Sequence, residues 1–176
     1  MPIIKFLFFI TVILLSSQNA AALTYEDGAD APTRSIEDYI EDYVDIPKGA
    51  VDWKVFGKTK QIEVIGKTED GFDLQYFKPE FPPEVKSLEG KEITIKGFMF
   101  PLEESEKQKT FLFGPFPMNC PFQYHVGPTL VIEVHTNGKP VEFSYDPIIM
   151  KGILELVSED TDNSTFFRLR NARQTH

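Results

Sequence analysis

Cysteine is almost missing from this chain: Cys120 is the only one in 176 residues, so no internal disulfide can form and stability must come from a packed core. Histidine is scarce as well, with three residues, and a chemistry built on several imidazoles has little to draw on. Positive charge is short, with 18 Lys and Arg against 27 Asp and Glu and a net charge of −9, so the chain does not attract phosphate backbones or anionic lipid at long range. No apolar run approaches the roughly 20 residues needed to span a bilayer as a helix. The nucleophile elbow G-x-S-x-G, the Walker motif, the dinucleotide fingerprint G-x-G-x-x-G and the zinc-protease motif H-E-x-x-H are all absent. Phenylalanine, by contrast, is abundant, with sixteen residues.

The first 22 residues have the order of a cleavable secretory signal. Lys5 precedes an apolar run from Phe6 to Leu15, polar residues follow to Asn19, and Ala20 to Ala22 supply the small residues. Cleavage is expected after Ala22, and a retained anchor is the rival reading. Removing Lys5 and no acid takes the net charge from −9 to −10. No cysteine follows the signal to accept a lipoprotein anchor, so the mature chain is expected to be exported with no stable membrane anchor. Residues 23–50 form an acidic N-terminal segment. Within it Ser35 and Asp38 make a box-like cap, and Ile36, Ile40, Tyr43 and Val44 share one face, which predicts a short amphipathic helix over 35–46.

From Val51 the apolar period becomes two. The stretches VDWKVFGKT, KQIEVIGKTEDGFDLQYF, KEITIKGFMFPLEE, TFLFGPF, TLVIEVH, VEFSYDPIIMKGILELV and TFFRLRNAR read as short strands, with turns at Glu69–Gly71 and Asn137-Gly138. Gly97 and Gly152 interrupt strong strands, as glycines do where barrel strands coil sharply. Residues 51–176 are therefore expected to form one mainly β domain, a small OB-like antiparallel barrel, with a β-sandwich as the alternative. Most of the phenylalanines are expected to fill its interior.

The stretch FGPFPMNCPFQYHVGP carries the chain's unusual chemistry. Cys120 and His125, four residues apart, are candidate ligands for zinc or copper, with His135, Glu103, Glu104 or Asp146 as further donors. The alternative is that Cys120 is a small buried hydrophobe. Phe116 and Phe122 bracket the cysteine as a partner-binding ledge or as a lid over the barrel end. A thiol-dependent redox enzyme is a third reading, though no lysine or arginine flanks the thiol to lower its pKa. Asn163-Ser164-Thr165 matches a glycosylation acceptor, which matters only in a eukaryotic secretory route. Arg168, Arg170 and Arg173 alternate along the last strand as a partner-facing or salt-bridged edge.

The blocks VDWKVFGKT, FKPEFPPEVKSLEGKEITIKGFMFPLEE and FLFGPFPMNCPF resemble the bacterial exported family known as domain of unknown function 3299, most specifically through GKEITIKGFMFPLE and the proline-flanked cysteine. The resemblance implies a small OB-like domain in the cell envelope and no established reaction. It also implies a second cysteine in a CPFC-like arrangement, a position that Gln123 occupies here. These observations support an exported periplasmic binding or accessory protein, non-enzymatic, with an envelope protein partner and no nucleic acid. Envelope metal handling or transport-complex assembly is the expected setting.

Overall fold

The structure is a computed structural model, and it describes residues 34–120 and 126–175. Nine strands alternate with short helices among these residues. Five of them close into a barrel in the order β3-β5-β6-β9-β8, where β3 is Glu92–Pro101, β5 Thr110–Gly114, β6 Ile132–Thr136, β8 Ile148–Leu156 and β9 Phe167–Thr175. Counted along the chain this is first, second, third, fifth, fourth and back to the first, the OB arrangement. The expected antiparallel barrel needs one correction: β6 and β9 run parallel. An OB barrel requires this, because its third and fifth strands enter from the same end.

One long strand closes the barrel by changing partners. Glu92–Gly97 of β3 pairs with β8, and Phe98–Pro101 pairs with β5. Gly97 stands at the change. A Cβ there would lie 2.6 Å from the Gly114 carbonyl oxygen and 3.1 Å from the Trp53 and Phe113 rings, so only glycine lets the strands approach. Gly152 does the same on β8, where a Cβ would fall 2.8 Å from the Arg170 carbonyl. Beside it the β8–β9 register slips between Lys151 and Ile153, and Asn171 on β9 takes φ +51°.

The core follows the pleat. Ile93, Ile95 and Met99 point inward from β3, Phe111 and Phe113 from β5, Ile132 and Val134 from β6, Met150 and Leu154 from β8, and Phe167 and Leu169 from β9, all buried. Gly97 bends β3 without changing which face looks inward, so Phe98 and Phe100 lie on the outer side, apart from the phenylalanines that fill the interior. Phe98 is covered from that side, and Phe100 is half-buried.

Two expected features take different forms. VDWKVFGKT is not a strand: Trp53–Gly57 is a helical turn (α1). Asp52 caps it by accepting a hydrogen bond from the Lys54 N–H at 2.8 Å. Trp53 and Phe56, three apart, share one face and are both buried. Trp53 donates its indole N–H to the Lys96 carbonyl at 2.7 Å, and Phe56 meets Phe167 edge-on at 4.9 Å, so α1 closes one end of the barrel. The N-terminal helix is a 3-10 turn over Ile36–Asp42 rather than a helix to residue 46. Its Ile40, with Val44 beyond its end, is buried in the chain's own core.

Outside the barrel, β1 (Lys60–Lys67) and β2 (Asp73–Glu80) form a separate hairpin, and α2 (Pro83–Lys86) leads into β3 with Val85 buried. Asn137-Gly138 does turn the chain, but not into a hairpin with β6. The following β7 (Val141–Glu142) pairs with β4 (Lys107–Gln108), a strand inside the β3–β5 loop. Both sides of β6 are already taken by β5 and β9.

Candidate functional site

The sequence points to the cysteine segment as the first candidate site. Phe116 is 1% exposed and meets Tyr43 edge-on at 5.4 Å; it is a core ring that closes the barrel end and offers no surface to a partner. Cys120 is 4% exposed, inside the same cluster. Its N–H is held by the Pro117 carbonyl at 2.9 Å, so residues 117–120 form a tight turn. A hydrogen bond with the Cys120 thiol, reinforced by burial, raises the Tyr43 phenol above its usual range. Phe122 and His125 lie outside the described residues. Two of the other donors named from sequence, His135 and Glu103, are engaged elsewhere. His135 pairs with Glu133. The Glu103 carboxylate accepts the Lys109 and Thr110 N–H groups at 3.1 and 3.0 Å. Among the described residues, no three His, Cys, Asp or Glu side chains converge as a metal site.

A roomy cleft lies on the outer face of β5 and β6. It holds about 490 Å³ and is lined by the apolar Leu102, Leu112, Val126, Pro128 and Val131 together with the polar Glu133, Asn163, Ser164 and Thr165. A smaller extension of about 180 Å³ continues past Leu112, Val126 and Val131 to Phe100. In OB barrels the second and third strands, flanked by the loops after the first and fourth, carry ligands. Here those elements are β5, β6, the β3–β5 loop and the β8–β9 loop.

Each wall is fixed by identifiable bonds. Leu102 is carried by the β3–β5 loop, which is built around Gln108, a fully buried amide. Its Oε1 accepts the Leu102 and Glu103 N–H groups at 3.2 and 3.1 Å, and its Nε2 donates to the Glu103 carbonyl at 2.9 Å and to that of Ser105. All of its capacity is met, so a buried polar group orders the loop at little cost. The β8–β9 loop turns on Asp160, whose Oδ1 accepts the Asp162 and Asn163 N–H groups at 3.1 and 3.0 Å. Ser164 takes φ +53° and accepts the Phe77 N–H at 3.0 Å, tying that loop to β2.

Glu133 is the charged group of the cleft. It lies within 3.5 Å of the Thr165 hydroxyl and the Arg168 guanidinium, and it pairs with His135. Arg168 also meets Asp160 at 3.1 Å and Glu155 at 3.6 Å, and Arg170 pairs with Glu155. Arg173 meets Glu92 at 3.0 Å. The alternating arginines of the last strand are therefore a salt-bridged face. The Arg170 hydrogen bond holds the Glu155 carboxyl below its usual range. For Asp160, burial pushes upward but the Asn163 and Asp162 N–H groups and Arg168 outweigh it, and the net shift is downward.

The model of the DUF3299 family, described as a protein of unknown function, matches residues 53–171. The chain belongs to that family. The match spans α1 and the whole barrel up to Asn171, including every residue that lines the cleft. A crystal structure of a DUF3299 family protein from Pseudomonas aeruginosa PAO1 is similar at 25% identity and a TM-score of 0.41, over 53% of this chain and 67% of that one. No functionally curated protein matches this DUF3299 member.

Sequence reasoning missed Leu112, Val131 and Glu133. One signal was available. Phe111-Leu112-Phe113 is unbroken apolar sequence within a period-two strand, which marks a strand with apolar surface on both faces. The glycosylation-like triplet Asn163-Ser164-Thr165 lines the cleft, a placement its motif does not suggest.

Proposed function

We infer that this DUF3299 protein is a binding module of the bacterial envelope, exported by cleavage after Ala22, that seats aliphatic side chains of a partner polypeptide on the β5–β6 face. One observation carries the reading: five aliphatic residues and four hydrogen-bonding ones line one cleft of about 490 Å³ at the ligand position of an OB barrel. Chemistry narrows the occupant. A net charge of −9 opposes a polyanion, and among the described residues the main cleft is lined by no ring on which a base could stack. Leucine-like side chains match the floor, and backbone amides of an extended peptide can donate to Glu133 or accept from Thr165 and Asn163. The buried Cys120 supports a structural part for the thiol rather than zinc, copper or redox chemistry.

The test is a titration of the mature protein with the neutral peptide acetyl-Leu-Leu-amide, followed through methyl NMR signals. Saturable shifts at Leu112, Val126 and Val131, lost in Leu112→Asp, are the expected result. Shifts that survive Leu112→Asp unchanged would remove the cleft from the account. Expression of the full chain in a bacterium with N-terminal sequencing of the soluble product tests export, and the expected first residue is Leu23.

A further inference from the structure

A second cleft, of about 220 Å³, opens where the 117–120 turn faces the bend between β7 and β8. Its lining includes Phe98, Met118, Asn119, Phe143 and Tyr145. Tyr145 is 80% exposed and Met118 41%, an unusual outlay of apolar surface for one small region. The tyrosine is nevertheless held in place. Its ring stands edge-on to Phe143 at 4.8 Å and 79°, giving two aromatic surfaces at a corner. The Phe143 N–H is tied to the Glu106 carbonyl at 2.8 Å. Ser144 bridges the bend, accepting the Asp146 N–H at 3.1 Å and donating to the Asp146 carbonyl at 3.0 Å. Pro147 then fixes the backbone.

Two kinds of group use an exposed, pre-ordered tyrosine: the apolar face of a sugar and an organic cation. Sugar recognition needs several convergent hydrogen-bonding side chains. Here Ser144 is already committed to its own bend, which leaves only Asn119 and the Tyr145 hydroxyl as further polar side-chain groups of the lining among the described residues. A cation needs ring faces and negative potential, and both are present. Among the described residues, no Lys, Arg or His lines the cleft. The adjoining Asp146 is exposed and makes no ion pair among the described residues, and the chain as a whole carries −9. We propose that the Phe143–Tyr145 corner is a second binding site, which takes the cationic side chain of an arginine or lysine on a partner polypeptide.

The probe is acetyl-arginine-amide, with acetyl-citrulline-amide as its neutral isostere and methyl glucoside as the sugar arm. Binding is read from NMR signals of the Tyr145 and Phe143 rings and the Met118 methyl. The arginine compound should give saturable shifts and citrulline none at the same concentration. Tyr145→Ala should weaken binding by at least about two- to fivefold, the value of a cation on an exposed ring. Tyr145→Phe should retain it, and Asp146→Asn should weaken it less than Tyr145→Ala does. At 80% exposure these variants leave the fold alone, which an unchanged melting temperature verifies. Equal shifts from arginine and citrulline, shifts from the glucoside alone, no shifts, or binding indifferent to Tyr145→Ala would each overturn the proposal. Because none of the lining residues is shared with the β5–β6 cleft, failure here leaves the peptide titration there unaffected.

Discussion

The barrel and the β1–β2 hairpin are written in similar sequence, yet they hold together in different ways. Both use alternating apolar residues and a glycine turn. In the barrel every strand has two partners, and inward side chains meet others from across the interior, with Phe111, Phe113, Phe166 and Phe167 wholly buried. In the hairpin two strands have only each other. Ile62 is 46% exposed, Ile65 76% and Phe72 70%, and six of the eight β1 residues remain open to solvent. Alternation therefore sets the local conformation in both, and closure decides whether it yields a core. A two-stranded ribbon has no opposite wall, so its stability is borrowed from contacts at its base. Two such contacts are the hydrogen bonds from Tyr76 to Glu159 at 2.6 Å and from Phe77 to Ser164 at 3.0 Å.

The largest expected effect is therefore in the barrel. Phe113→Ala should cost about 3–5 kcal/mol in chemical denaturation, because a ring packed against Trp53 and Phe111 leaves a cavity. Next comes Gly97→Ala. The added methyl meets a backbone carbonyl rather than a flexible side-chain end, so the strands must part, at about 1–3 kcal/mol.

An acid titration gives a graded effect. The Glu155 and Asp160 carboxyls are held below their ordinary values of 4.5 and 3.8 in the folded chain. Depressed folded values mean that their contribution is complete above the ordinary values and is lost as pH falls through the folded ones. The unfolding midpoint should thus decline below about pH 4, and Asp160→Asn should flatten that decline while lowering the midpoint at neutral pH. The smallest effect belongs to the hairpin: Phe72→Ser should shift stability by no more than about 0.5 kcal/mol. A loss there as large as that of Phe113→Ala would erase the distinction between the two regions.

Much of the barrel could be read from sequence because alternation and glycine placement are local signals. Ile93, Ile95, Phe111, Phe113 and the bends at Gly97 and Gly152 announce themselves within a few residues. What could not be read depends on partners distant in the chain. The Asp52 cap competes with apparent alternation around Trp53 and wins, giving α1. β7 joins β4 because β6 is already flanked on both sides. The cleft joins residues 102, 112, 131 and 163–165, which no spacing rule connects. The cysteine drew notice because it is rare, but rarity carries no information about exposure, and Cys120 is inside.

The most direct test of the account is to locate the bound peptide itself. Intermolecular NOEs should connect the leucine methyls of acetyl-Leu-Leu-amide with those of Leu112 and Val131 on the mature protein. NOEs to the 117–120 turn instead, or a saturated complex with no contact to the β5–β6 face, would contradict it.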